Sequence, residues 1–190
     1  ARGIRGWQRE TEEVFATPIE TLPVKGLVWS YSPATGDVAP RARIAEILKR
    51  AAANPLGIPS PGGADLETLV RTFAPIYEID SLTNDDRLGA PRLEDDASVR
   101  VDTRRPTIYA RTTATRVGDR TLLQIVYTAW VPARPKTGAL DLLGGPLDGL
   151  LWRVTLAPDG SPLVFDTIHP CGCYHMFFPS PAATPKPAPT

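Results

Sequence analysis

Two histidines, two cysteines and one methionine are all that this chain of 190 residues contains. All five lie in one octapeptide near its end, His169-Pro170-Cys171-Gly172-Cys173-Tyr174-His175-Met176. Thiolate and imidazole hold soft and borderline transition metals, so these residue types point to zinc, copper or iron. His169, Cys171, Cys173 and His175 alternate along the octapeptide, and in an extended chain alternate side chains share one face. A straight strand would nevertheless spread them, with His169 and His175 about 20 Å apart at ~3.3 Å per residue. One site using all four donors therefore requires a bend, and Pro170 and Gly172 are the residues suited to it. The compact chelate is Cys171, Cys173 and His175, completed by His169 or a remote carboxylate. Tyr174 and Met176 are outer members of the set.

The spacing matches neither the paired cysteines of structural zinc sites nor the C-x-x-C-H of haem attachment. Two other readings use the same residues. Cys171 and Cys173 form a strained, easily reduced disulfide suited to exchange chemistry. Alternatively the cluster continues the parity of Leu163 and Phe165 and fills core space, since cysteine is among the most buried residue types. Two histidines on such a face each require a buried partner, which counts against packing alone. The metal reading divides further. A closed set of four ligands stabilises the fold, whereas an open position makes the ion a Lewis acid or redox centre, hence a metalloenzyme.

Carboxylates are plentiful. Asp85-Asp86 and Glu94-Asp95-Asp96 read as a solvated loop, and Glu78 and Asp80 as the outer face of an edge strand beside Tyr77. Asp141 and Asp148 are further acids that a metal site could recruit. Asp166 stands on the opposite strand parity from His169, a poor position for a ligand. No G-x-S-x-G elbow or phosphate-binding Gly-rich loop is present, which removes the commonest hydrolase and nucleotide signatures. Trp7, Trp29, Trp130 and Trp152 read as core.

The cluster must be carried by the elements around it. Val24 to Trp29 is a short strand candidate, and Ser32-Pro33 and Thr35-Gly36-Asp37 are turn formers. Ile44, Ile47, Leu48 and Ala51 recur at helical spacing between Pro40 and Asn54-Pro55, which predicts a helix over 41–53. Leu66, Leu69, Val70 and Phe73 predict a second over 65–73. Ile76 to Asp80 reads as a strand, and 81–98 as a polar, acidic loop. Residues 107–117 and 120–131 form a hairpin about Gly118-Asp119, with Gly at the first loop position as a type II′ turn requires. Residues 150–156 and 163–168 form another about Pro158-Asp159-Gly160. The connection 132–149 carries its own apolar patch, Leu140, Leu142, Leu143 and Leu147.

The expected class is thus α+β: an antiparallel, β-rich sheet with two N-terminal helices and a Pro-rich C-terminal tail. We expect one domain over 1–178 and an extended tail over 179–190. The last strand, or the turn after it, carries the metal site.

Lys+Arg and Asp+Glu balance at 21 each, so a basic nucleic-acid footprint is absent. No apolar run is long enough to span a membrane. The 21 prolines, against the ~5% of an ordinary chain, make the first third and the tail loop-rich. An alanine start is compatible with signal removal and an extracytoplasmic location, although two cysteines one residue apart are no secreted disulfide framework. The function expected from sequence is a transition-metal-binding domain. Its rivals are a thiol-redox protein and a non-catalytic structural or interaction module of a larger exported protein.

Overall fold

The computed structural model describes residues 17–18, 21–33, 37–136, 138, 141 and 144–184. Trp7, Thr35-Gly36, the leucines at 140, 142 and 143, and the end of the tail from 185 lie outside the described residues. The fold is mostly antiparallel β-sheet with two helices among the described residues, an α+β arrangement.

Strand β1 (Leu27–Tyr31) is followed by helices α1 (Arg41–Ala51) and α2 (Gly63–Thr72), then by strand β2 (Tyr77–Ser81). Strands β3 (Ala90–Leu93) and β4 (Val99–Asp102) come next. Five longer or later strands follow: β5 (Ile108–Val117), β6 (Arg120–Arg134), β7 (Gly145–Leu156), β8 (Pro162–Ile168) and β9 (Met176–Pro179). The last five form one antiparallel sheet in the order β5-β6-β7-β8-β9, while β1 pairs with β2 and β3 with β4.

Both expected hairpins lie side by side in the main sheet. Val117 pairs with Arg120 across a two-residue loop, and Gly118 has φ +63°, the positive value that the first position of a type II′ turn demands. At the other turn Gly160 has φ +83° and packs against the start of α1, where Arg41 pairs with Asp159. Strands β6 and β7 run further than their apolar alternation, taking up Arg134 and Gly145 as a register pair within the expected connection.

The helices form where expected because each buries one stripe. Ile44, Ile47 and Leu48 of α1 and Leu69 of α2 are buried. They meet Leu123, Ile125 and Tyr127 of β6 and Val154 and Leu156 of β7 in one core cluster, with Phe165 of β8 packed against it. Burying each large aliphatic side chain contributes roughly 1.5–3 kcal/mol before chain entropy is charged against it. Arg50 holds Asp65 through both carboxylate oxygens at 2.9 and 2.8 Å, tying α1 to α2. The Tyr127 hydroxyl donates to the Val70 carbonyl at 2.7 Å, tying the sheet to α2.

The acidic stretch 81–98 is more structured than its polarity suggests. Thr83 and Asp86 form a reciprocal capping box on a single 3-10 turn over Asn84–Asp86. β3 then turns back as β4 through a tight loop in which Ala97 sits at φ +61°. An alanine in the left-handed position and Pro91 within the strand hid this hairpin from sequence reasoning. Asp80 also has a structural role: its oxygens accept the Lys25 and Gly26 N–H groups at 2.8 and 2.7 Å. Trp29 is not core; it lies partly exposed with the Arg87 guanidinium 4.0 Å from its ring centre.

Candidate functional site

The histidine–cysteine octapeptide is the connection between β8 and β9. Gly172 N–H donates to the His169 carbonyl at 2.9 Å, and His169 N–H donates to the Cys173 carbonyl at 3.0 Å. These two bonds close a three-residue loop, Pro170-Cys171-Gly172. Proline supplies the fixed φ of a turn start, and Gly172, at φ +87°, supplies the left-handed residue that ends it. The chain therefore bends at the two residues singled out for bending, and the straight strand does not form.

A second departure follows at Tyr174, whose φ is +54°. Beyond it Met176 pairs with Thr167 and Phe177 with Asp166. As a result the two histidines do not share a face. His169 follows on from the face of Thr167 and lies with Nδ1 3.4 Å from Asp148 Oδ1. His175 lies on the opposite face, with Nε2 3.0 Å from Asp166 Oδ1. The uniform alternation expected from sequence is broken because one left-handed residue resets the side on which every later side chain emerges.

Asp166 is the most buried acid near the site, at 1% exposure. It pairs across the strands with Arg153, whose Nε donates to its Oδ1 at 2.7 Å. Arg153 Nη2 lies 2.9 Å from His175 Nε2. With its proton on Nε2 the imidazole donates to Asp166; with the proton on Nδ1 it accepts from Arg153. His175 also packs on Phe177, ring centres 4.0 Å apart. The charge triangle is thus an anchor for the returning strand.

The sulfurs are left to each other. Cys171 is exposed and Cys173 half-buried, and neither is in a disulfide. The backbone N–H of Cys173, and after it the Cys173 thiol, hydrogen-bond to the Cys171 sulfur and hold the Cys171 pKa below the ordinary thiol value. The Cys173 pKa is pushed up by that same thiol hydrogen bond, with burial adding to it. The backbone N–H breaks the symmetry of the pair, so Cys171 is the thiolate.

Arg134 and His169 line two small clefts flanking this loop. One, of about 290 Å³, also contains Asp148 and Cys171; the other, of about 280 Å³, contains Tyr174 and Met176. Arg134 hydrogen-bonds Tyr174 and lowers the Cys173 pKa slightly through its charge. Among the described residues, no three His, Cys, Asp or Glu side chains are grouped to hold a metal ion. The four expected ligands are thus divided: the two cysteines meet, and each histidine is engaged by its own carboxylate.

Sequence reasoning missed Arg153 and Arg134 and set Asp166 aside. The available signal was a lone carboxylate alternating with Val164 and Ile168 on a strand, a pattern that demands a buried cationic partner. No protein-family model, no curated protein and no solved structure matches the chain.

Proposed function

We propose that the chain is a thiol-redox protein whose working group is the exposed dithiol of Cys171 and Cys173. The observation that carries this reading is the hydrogen-bonded sulfur pair at the tip of the β8–β9 loop, with Cys171 favoured as thiolate. The Cys171 thiolate attacks a partner disulfide, forming a mixed disulfide and releasing one partner thiolate. The Cys173 sulfur then attacks Cys171, releasing the second. The protein loses two electrons and two protons, and the partner disulfide becomes two thiols. A disulfide closed over so short a loop is strained and easily reduced again, which suits cycling over permanent bridging.

Incubating the protein over a range of glutathione redox ratios and trapping free thiols tests this. Reversible formation of an internal disulfide, lost in Cys171→Ser and Cys173→Ser, is the expected result. Formation of glutathione adducts alone would exclude the reading.

A second reading keeps the transition-metal site, as a soft ion such as monovalent copper held between the two thiolates. It is supported by the meeting of the sulfurs and by His169 on the same cleft as Cys171. His169 and His175 join as ligands only by leaving Asp148 and Asp166. Metal content of the purified protein, compared with that of the double Cys171→Ser, Cys173→Ser variant, decides it; an unchanged ratio sinks the metal reading. In either case we take 1–178 as the folded domain and 179–190 as its tail.

A further inference from the structure

Away from the dithiol, the opposite edge of the main sheet is unpaired. β5 is ten residues long and, among the described residues, pairs only with β6. A free edge offers a row of backbone N–H and C=O groups to any extended chain. The largest cleft of the molecule, about 640 Å³, opens along this same edge. Its floor includes Ile108 and Ala110, alternate residues of β5, and Tyr127 of β6; its walls include Val70 of α2 and Leu88. Here the helix layer stands off from the sheet, leaving apolar space above the edge. A strand laid along β5 would direct every second side chain into that space.

The edge also carries charge. Between 103 and 120 there are five arginines and one acid, Asp119, in a chain whose overall charge is zero. Arg105, Arg111, Arg116 and Arg120 are all exposed. That charge bears on the occupant. Two copies pairing antiparallel about Thr113 and Ala114 would set Arg111 of one against Arg116 of the other, a like-charge contact that opposes self-association. An acidic strand meets the same arginines with opposite charge.

We infer that the β5 edge and its adjoining cleft form a docking site for an extended acidic peptide segment with apolar residues at alternate positions. The segment adds as a sixth strand: main-chain hydrogen bonds to β5 supply affinity, and the cleft and arginines supply selectivity.

Fluorescently labelled short peptides alternating valine with glutamate, and valine with lysine, are titrated with the whole chain and read by anisotropy. The glutamate peptide should bind at least about tenfold more tightly than the lysine peptide, with a difference that shrinks as salt screens it. A glutamate peptide N-methylated at alternate amides should lose binding, because it cannot pair with a strand. Arg111→Glu and Arg116→Glu together should reverse the preference, and Ala110→Trp, which fills the cleft, should weaken binding. These substitutions sit on an exposed edge, and circular dichroism checks that the fold is kept. Equal binding of both peptides, undiminished binding of the N-methylated one, or no binding of either would overturn the proposal. A concentration-dependent dimer abolished by the Arg111→Glu, Arg116→Glu pair would do so too, by showing that a second copy is the occupant.

Discussion

Asp166 and His175 lie on the same face of the β8–β9 hairpin, carboxylate to imidazole at 3.0 Å, although the turn between them reverses the chain. Arg153, on the neighbouring strand β7, completes the contact from the other side of the carboxylate. The anion is almost wholly buried and is answered by one guanidinium and one imidazole, as a charge in such a place requires. It fixes the strand that returns from the dithiol loop.

Replacing Asp166 by alanine leaves Arg153 without its counter-ion. Arg153 is a quarter exposed, so water restores part of its solvation. The loss therefore falls at the low end for a broken buried pair, about 3 kcal/mol. A urea titration followed by tryptophan fluorescence measures it. A midpoint equal to that of the unchanged protein would remove Asp166 from its anchoring role.

Cys171 alkylation should report the lowered pKa of this thiol. The thiolate reacts, so the rate should be at its plateau above the lowered pKa and fall as pH drops through it. Cys173→Ala removes the thiol donor and should move the profile to higher pH. The movement is partial, because the backbone N–H at position 173, the larger cause, remains. Iodoacetamide labelling over a pH series, read by peptide mass, gives both curves. Identical curves would mean that the Cys173 thiol does nothing for Cys171.

Gly172→Ala tests the turn. An added Cβ meets nothing within 4 Å, so only the left-handed backbone opposes it, at about 1 kcal/mol. Small as that is, it acts on the residue that brings the two sulfurs together. The internal disulfide should form more slowly, while the melting temperature changes by only a few degrees. Unchanged thiol kinetics would separate the turn from the chemistry.

Gly160→Val should be far more damaging than Gly172→Ala, although both glycines are left-handed. At Gly160 a Cβ would lie 2.8 Å from the Arg41 carbonyl oxygen and 3.0 Å from Ile44 Cβ. Backbone strain and overpacking together should cost about 3 kcal/mol. Thermal unfolding of the two variants in parallel decides the order, and the reverse order would contradict the docking of this turn on α1.

Much of the fold was legible because it is locally encoded. Ile44, Ile47 and Leu48 mark α1 by their spacing alone, and Gly118-Asp119 and Asp159-Gly160 mark two hairpins by turn chemistry. The β3–β4 hairpin was not legible, because Ala97 occupies the position where a glycine would have announced the turn. For the site, the sequence by itself determined which side chains could act and where the chain must bend, at Pro170 and Gly172. Only the tertiary structure decided how those side chains are divided. The register of β8 against β7 brings Arg153 opposite Asp166, and the left-handed backbone at Tyr174 turns His175 to that face while His169 meets Asp148 on the other. Strand register is set by pairing between distant segments and by the burial of whole faces, so the partner of each histidine is a long-range property that no local pattern contains.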